Sequence, residues 1–148
     1  MVNFDYQTPT RLIFGKGVVS EKLASVMNQY GKRVLITYGG GSIKRTAPGH
    51  DKSLYDLVKD TLTDKQVFEL GGIQPNPKFN PSVVDGVRMC QDNDIDVILA
   101  VGGGSVLDCT KAIAGVAGTL KTKVTDNVEE AWDIVCGRKP TTAAVPIV

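Results

Sequence analysis

The chain has 148 residues, a formal net charge of +1 at pH 7, and 22% charged residues. A chain of this length can bury a sizeable core, whereas its near-neutral charge excludes the strongly basic surface typical of nucleic-acid or membrane-surface binding. No apolar run approaches the roughly 20 residues of a membrane span, and the first residues lack the basic-then-apolar order of a signal peptide. We therefore expect a cytoplasmic protein of one domain, with neither nucleic acid nor membrane among its partners.

Apolar runs and helical spacings alternate along the chain. Short apolar runs predict strands at residues 10–14, 34–38, 66–70, 97–101 and 143–148. Apolar residues at helical spacing predict helices over residues 19–30, 54–62, 83–90, 106–114 and 128–135. Pro75 and Pro77 block regular structure between residues 71 and 80, and Asn80 with Pro81 has the pattern of a helix N-cap followed by a first-turn proline.

This order of elements predicts a Rossmann-like, doubly wound α/β fold with a mostly parallel sheet and helices on both faces. In such folds the ligand lies outside the carboxyl ends of the strands. Residues that directly follow a predicted strand are therefore the first candidates for a binding site.

Two of the predicted strands run directly into the same four residues. Residues 34–38 are followed by Gly39, Gly40, Gly41 and Ser42, and residues 97–101 are followed by Gly102, Gly103, Gly104 and Ser105. A glycine turn between a strand and a helix presents free backbone N–H groups and the positive end of the helix dipole, with no β-carbons in the way. Each loop is a candidate phosphate site, the alternative being a tight turn without a ligand.

The second loop matches neither of two well-known phosphate-binding motifs. Leu107 occupies the place of the third glycine in GxGxxG, and Lys111 lies too far along the helix for a Walker A loop. A single glycine turn could arise without a ligand, but two at the ends of parallel strands are expected if a long ligand with two phosphates lies across both. The pair therefore predicts a dinucleotide.

The cysteines and the histidine indicate no metal site. Cys90, Cys109 and Cys136 form no CxxC pair, and reduced thiols are their simplest account. Cys109 follows the second glycine loop, where a helix N-terminus lowers thiol pKa values, but a small core residue is the favoured interpretation. His50 is the single histidine of the chain, so these residues cannot build a multi-histidine metal site. Its place beside Pro48 and Gly49 predicts a solvated loop residue.

Five segments carry a family resemblance when they are taken together. FGKG, YGGGSIKR, GGIQPNP, AVGGGSVLDCTKAIA and AVP occur in this order along the chain. They resemble the iron-containing (group III) alcohol dehydrogenase family, and most closely its butanol dehydrogenase-like branch. The resemblance covers essentially the whole chain, and its specific part is the YGGGS and GGGSVLD pair.

The resemblance implies that these residues bind a nicotinamide dinucleotide. It places the second loop around the pyrophosphate and the first loop beside the adenine ribose. It places Asn76, of the PNP segment, near the same ribose, and Asp108 near the nicotinamide end. The cofactor-binding residues expected on this basis are Gly39, Gly40, Gly41, Ser42, Asn76, Gly102, Gly103, Gly104, Ser105 and Asp108.

The residues of the first loop predict which dinucleotide is preferred. An acidic residue at this strand end would accept hydrogen bonds from a ribose 2′-hydroxyl and repel a 2′-phosphate. Tyr38 is instead followed by glycines, Ser42, Lys44 and Arg45. We therefore predict a preference for NADP(H) over NAD(H), the alternative being that Lys44 and Arg45 are simply solvated.

Three side chains near the second loop also have structural interpretations. Asp108, on the first turn of the predicted helix, would stabilise the helix dipole even without a ligand. Lys111 is expected to pair with a carboxylate, and Trp132 is expected to pack in the core. We assign no catalytic residue to this chain.

In the family that the chain resembles, an aspartate and three histidines on a following helical domain bind the metal. No residue here matches them, so residues 1–148 are expected to form an amino-terminal dinucleotide-binding domain that is incomplete at its C-terminal end. The resemblance implies that iron or zinc is bound only in a longer parent enzyme, which transfers hydride between NAD(P) and a small alcohol or aldehyde. The chain alone is expected to be inactive.

Two further interpretations remain open at the level of sequence. In the first alternative, the chain is the cofactor domain of a relative of glycerol dehydrogenase or dehydroquinate synthase. In the second, it is a non-catalytic module for nucleotide binding or oligomerisation. The family resemblance also implies a possible homodimer, in which the amino-terminal strand from Arg11 to Phe14 pairs with its copy.

Overall fold

In the computed structural model, which describes residues 8–148, three parallel strands form a sheet in the order β2-β1-β3. The strands are β1 (Arg33–Tyr38), β2 (Gln66–Leu70) and β3 (Val97–Val101). β1 lies in the centre, and its residues from Val34 to Tyr38 are all buried. A strand that is covered on both faces needs the continuous apolar run that this segment has.

Helices cover both faces of the sheet, as the sequence predicted. They are α1 (Val18–Met27), α2 (Leu54–Thr61), α3 (Val84–Asp92), α4 (Gly104–Thr119) and α5 (Val128–Val135). Val34 and Ile36 of β1 belong to a core shared with α1 and α2, whereas Leu35 belongs to a core shared with α3, α4 and α5. The alternation of side chains along one strand therefore supplies both cores, and the doubly wound α/β prediction is confirmed.

The last residues of the chain extend the sheet beside β3. Ile147 pairs with Ile98 in parallel orientation, the amide of Ile98 donates to the carbonyl of Pro146 at 2.9 Å, and that of Val148 to the carbonyl of Ile98 at 2.9 Å. The prediction of a strand at residues 143–148 is correct in position, although the pairing is limited to one bridge.

The order of the strands places a topological switch point at the carboxyl ends of β1 and β3. The chain leaves β1 toward β2 on one side, and it leaves β3 toward Ile147 on the other side. The two connections diverge, and they open a crevice between the neighbouring strand ends. Such a crevice is the usual ligand position in an open α/β sheet.

The predicted amino-terminal strand is not formed in this chain. Residues 8–14 adopt no helix or strand, and Leu12 and Phe14 are 84% and 94% exposed. A strand is defined by its hydrogen-bonding neighbour, and the parallel sheet of the described residues does not extend to this segment. A short apolar run cannot show whether such a neighbour exists.

The start of α3 also differs from the prediction. The Asn80–Pro81 peptide is cis, Asn80 has an extended backbone (φ −110°, ψ 125°), and α3 begins only at Val84. An irregular helical turn over Phe79–Val83, interrupted by the non-helical backbone of Asn80, precedes it. The N-cap prediction for Asn80 is therefore wrong, because the connection turns once more before the helix starts.

Within residues 8–148, no helix has both the length and the apolar character that crossing a membrane requires.

Candidate functional site

The two glycine loops leave adjacent strand ends. Tyr38 of β1 is the register partner of Val101 of β3, so Gly39 and Gly102 follow next to each other at the same edge of the sheet. A β-carbon at Gly39 would lie 3.7 Å from Cγ2 of Val106, in the first turn of α4. The structure thus brings together the two loops that the sequence predicted to share one ligand.

Four loop glycines border open space. A β-carbon added at Gly40, Gly41, Gly103 or Gly104 would meet no heavy atom within 4 Å. The backbone does not require glycine at two of them, since Gly40 (φ −72°, ψ −170°) and Gly103 (φ −89°, ψ −166°) are extended. Neither packing nor backbone geometry accounts for glycine there, whereas a ligand lying directly on the backbone does.

Gly102 has a different reason to be glycine. Its β-carbon would lie 2.6 Å from Cγ2 of Val106, a distance at which the helix start would have to move. Gly102 therefore allows α4 to begin immediately after β3, and Gly103 and Gly104 remain as the open part of the loop.

The N-terminus of α4 is suited to an anion. The helix has 16 residues, and its N-cap, Gly103, supplies no side-chain acceptor to the first turn. The carbonyl of Gly103 accepts hydrogen bonds from the amides of Val106 and Leu107 at 3.0 and 3.1 Å. The amides that precede Val106 have no intrahelical acceptor, as at every helix start, and they lie on the positive end of the helix dipole beside the open glycines.

A buried hydrogen bond fixes α4 against β1. The hydroxyl oxygens of Thr37 and Thr110 lie 2.7 Å apart, and both residues are fully buried. Because the Thr110 hydroxyl donates to the carbonyl of Val106 at 2.7 Å, the Thr37 hydroxyl is the donor between the two threonines. This bond joins the strand that carries the first loop to the helix that begins at the second.

The segment after β2 is held against the first loop by two backbone hydrogen bonds. The amide of Gly72 donates to the carbonyl of Gly39 at 2.9 Å, and that of Ile73 donates to the carbonyl of Tyr38 at 3.2 Å. Gly72 has a positive φ of 81°, which glycine adopts without strain. These bonds bring the following PNP segment, with Asn76, to the edge of the site.

Asn76 and Asp108 line the same cleft, of about 520 Å³. Its wall also includes Phe79 and Trp132, whose ring centroids are 5.0 Å apart. Residues of the two glycine loops do not line this cleft; the loops lie at the N-terminal end of α4, whose next turns form the wall. Trp132 is 41% exposed, so the prediction that it packs in the core is wrong.

Asp108 lies two residues further from the start of the helix than the sequence suggested. Because α4 begins at Gly104, Asp108 is its fifth residue and lies outside the first turn. Its carboxylate is 3.5 Å from the ammonium of Lys111, and both side chains are exposed. The pairing predicted for Lys111 is confirmed, whereas the interpretation of Asp108 as a first-turn dipole partner is not.

The buried cysteines are core residues. Cys109 is 1% exposed, and burial raises the pKa of its thiol to about 11. Burial likewise raises the pKa of Cys90 to about 12, while Cys136 is exposed. The preference for a packing role of Cys109 is confirmed, and His50 lies on an exposed loop as expected.

A cluster beside the first loop was missed by the sequence analysis. The ammonium of Lys44 lies 4.9 Å from the ring centroid of Tyr38 and 4.6 Å from that of Tyr55. Both tyrosine hydroxyls donate to Glu69, at 3.1 and 2.7 Å, and Lys59 donates to the same carboxylate at 3.2 Å. No local pattern could have indicated the cluster, since its residues come from two strands, a helix and a loop.

Hydrogen bonding keeps the carboxylate of this cluster charged. Partial burial of Glu69 disfavours its charged form, but bonds from Tyr55, Lys59 and Tyr38 outweigh burial and hold its pKa below the ordinary value. Within residues 8–148, no three histidine, cysteine, aspartate or glutamate side chains are grouped closely enough to hold a metal ion.

Comparisons with known proteins agree with this geometry. The model of the iron-containing alcohol dehydrogenase family matches residues 9–148. The chain is 46% identical over 148 residues to the probable NADH-dependent butanol dehydrogenase 2 of Bacillus subtilis, covering 99% of this chain and 34% of that protein. It is 38% identical to the NADPH-dependent aldehyde reductase YqhD of Escherichia coli, covering 99% of this chain and 34% of that protein.

Solved structures show the same fold. A crystal structure of NADH-dependent butanol dehydrogenase A from Thermotoga maritima aligns with a TM-score of 0.79 and 33% identity, covering 98% of this chain and 33% of that one. The substrate- and cofactor-free form of YqhD aligns with a TM-score of 0.76 and 38% identity, covering 99% of this chain and 35% of that one. The chain spans about a third of the length of the curated relatives it matches.

Proposed function

The chain belongs to the iron-containing alcohol dehydrogenase family, and we propose that it binds a nicotinamide dinucleotide across the carboxyl ends of β1 and β3. The observation that carries this proposal is the open space at Gly40, Gly41, Gly103 and Gly104, where packing accounts for no glycine. A dinucleotide has two phosphates and two riboses, and it is long enough to use both loops. The family match favours this function over the two alternatives considered from the sequence.

The proposed site divides the ligand between the loops. The amides of Gly103, Gly104 and Ser105 at the start of α4 hold the pyrophosphate, because they combine free donors with the helix dipole. The first loop holds the adenine ribose, together with Asn76 of the PNP segment. Asp108 faces the nicotinamide end from the shared cleft.

We propose hydride transfer with a small alcohol or aldehyde as the reaction of the enzyme to which these residues belong. A nicotinamide cofactor carries the hydride, and the described residues bind and orient it. Residues 1–148 act as the dinucleotide-binding domain in this proposal, and the metal, iron or zinc, is bound by residues outside it. The chain by itself is therefore expected to bind cofactor without turnover of an alcohol or aldehyde.

Calorimetric titration of the chain with NADPH, NADH and ADP-ribose tests this function. We expect saturable binding of one dinucleotide per chain, with competition by ADP-ribose, because the pyrophosphate and ribose contacts lie on the described loops. Absence of binding by all three ligands would refute the proposal. Metal-dependent reduction of butyraldehyde by the chain alone would contradict the proposal that these residues bind the cofactor and that turnover requires residues outside them.

The preferred cofactor in this proposal is NADP(H). Backbone amides, the Ser42 hydroxyl and the exposed Arg45 follow β1, and no carboxylate stands in the loop to repel a 2′-phosphate. The relatives differ in this respect, since the Bacillus protein is named NADH-dependent and the Escherichia protein NADPH-dependent. Titration with both reduced cofactors decides the point, and equal or tighter binding of NADH would overturn the preference.

We further propose that the segment from Arg11 to Phe14 pairs with its copy in a homodimer. Leu12 and Phe14 are 84% and 94% exposed in the single chain, and a second copy would cover them. Light scattering should show a dimer that becomes monomeric in the Leu12→Glu/Phe14→Glu variant, whereas a wild-type monomer would refute the pairing.

The free thiols of Cys90 and Cys109 support a reducing compartment such as the cytoplasm.

A further inference from the structure

Lys44 ends the short 3-10 helix, Gly41–Lys44, that follows the open glycines of the first loop. This helix has no side-chain cap at its N-terminus, and the β-carbon positions of Gly40 and Gly41 meet nothing within 4 Å. Only Ile43 packs against the core from within the turn. The position of the turn therefore depends on few contacts, and Lys44 supplies the most specific of them.

The contact is a cation between two aromatic rings. The rings of Tyr38 and Tyr55 meet edge to face, with centroids 6.1 Å apart and planes 68° apart. The Lys44 ammonium lies within 5 Å of both centroids. Attraction of an ammonium by the negative face of an aromatic ring acts at these distances, and two rings restrict the position of the ammonium more than one.

Glu69 holds the two rings in this arrangement. One of its oxygens accepts the Tyr38 hydroxyl and the other accepts the Tyr55 hydroxyl. The pKa of Lys44 is raised, chiefly by the Tyr38 hydroxyl, with a smaller contribution from the negative charge of Glu69. The ammonium is therefore charged where it lies, beside Tyr38 of β1 and Tyr55 of α2 and near Glu69 of β2.

We propose that Lys44 is a positioning residue, whose ammonium between Tyr38 and Tyr55 holds the first glycine loop in the shape that binds the dinucleotide. Lys44 does not contact the cofactor phosphate, because its ammonium is already committed to the rings. The proposal rests on the proposed function, and it corrects the sequence interpretation in which Lys44 and Arg45 together face a 2′-phosphate. Recognition of that phosphate then falls to Arg45, Ser42 and the loop amides.

A positioning role of Lys44 and a direct contact with the 2′-phosphate predict different effects on the binding of NADH and NADPH. A tether shapes the loop for any dinucleotide, so Lys44→Met should weaken NADH and NADPH by the same factor, about five-fold for the loss of exposed cation–π contacts. Lys44→Arg keeps a cation over the rings and should restore binding of both cofactors. Selective loss of NADPH binding in Lys44→Met would show direct phosphate contact and overturn the proposal.

A partner variant and a matched control complete the experiment. Tyr55→Leu removes a ring that lies on α2, away from the loop, and should cause the same loss as Lys44→Met, with no additional loss in the double variant. Lys52→Met removes an equal charge that pairs with Asp60 of α2 rather than with Glu69, and it should bind both cofactors as the wild type does. Equal losses in Lys52→Met would attribute the effect to charge and refute the positioning role of Lys44.

The tether is also tested without any cofactor. Cleavage by trypsin after Arg45 should be faster in Tyr55→Leu than in Lys52→Met, because the loop opens locally when the contact between Lys44 and the rings is lost. Equal cleavage rates would contradict the proposal even if the wild type binds dinucleotide normally. A wild-type chain that binds neither cofactor would instead refute the proposed function, so the two failures are distinguishable.

Discussion

Gly104→Ala separates a structural glycine from a ligand-binding one. Gly104 is the first residue of α4, and its added β-carbon meets no atom within 4 Å. Replacing glycine by alanine at a compatible position restricts the unfolded chain and stabilises the fold by ~0.4–1 kcal/mol. For a domain of this size we expect the melting temperature to rise by about 1–3 °C.

Binding should change in the opposite direction. If the pyrophosphate lies directly on the backbone of this loop, the new methyl group occupies the space of the phosphate. A displacement that weakens binding ten-fold corresponds to ~1.4 kcal/mol, and we expect at least this loss. A variant that is more stable and binds less tightly is the signature of a glycine retained for function.

The assay combines thermal melting of the free chain with calorimetric titration of NADPH, and the same helix provides a matched control. The β-carbon of Gly115→Ala would lie 3.4 Å from Cγ2 of Thr141, an ordinary contact. This variant should be stabilised similarly while binding as the wild type does. Unchanged affinity in Gly104→Ala would refute the placement of the phosphate, and a lower melting temperature would refute the conclusion that packing leaves this position open.

Three other predictions concern the elements that support the site. Thr110→Val leaves the buried hydroxyl of Thr37 without an acceptor and should cost ~1–3 kcal/mol, whereas the double valine variant should recover most of this loss; additive losses in urea denaturation would contradict the buried bond. Because its pKa is lowered in the fold, Glu69 contributes stability that is complete above its ordinary pKa of 4.5 and is lost as the pH falls through the lower folded value. The free energy of unfolding of the wild type should therefore exceed that of Glu69→Gln at neutral pH, and the two values should converge in acid. A difference that does not depend on pH would show that the charged form of Glu69 does not stabilise the fold. Of the three thiols, only that of Cys136 should react rapidly with Ellman's reagent in the native chain, and a rapidly reacting thiol in Cys136→Ser would disprove the burial of the other two.

Local patterns predicted much of this fold correctly. Continuous apolar runs indicated β1 and β3 within a residue of their observed bounds, because a strand buried on both faces must be apolar throughout. The mixed pattern of residues 66–70, which includes Gln66 and Glu69, indicated the less buried strand β2. Helical spacing indicated all five helices. The repeated glycines indicated which strand ends carry the two open loops that we propose as the site, since free amides at a helix start are a property of a few adjacent residues.

Patterns that depend on a distant neighbour were predicted poorly. The short run at residues 10–14 was predicted to be a strand, but the sheet of the described residues does not extend to it, and only a second strand beside it could decide the matter. Trp132 was expected to pack in the core, but it is 41% exposed, and its ring centroid lies 5.0 Å from that of Phe79.

The sequence by itself determined that this chain is a parallel α/β domain with two glycine loops at strand ends, because strand burial and turn chemistry are written in consecutive residues. Only the tertiary structure decided that the loops are neighbours at a switch point, since strand order is set by packing between distant segments. It also separated Gly102, required by Val106, from Gly103 and Gly104, which border open space. Identical residues in one loop thus have different roles, and the difference lies in which atoms the fold brings within reach of each.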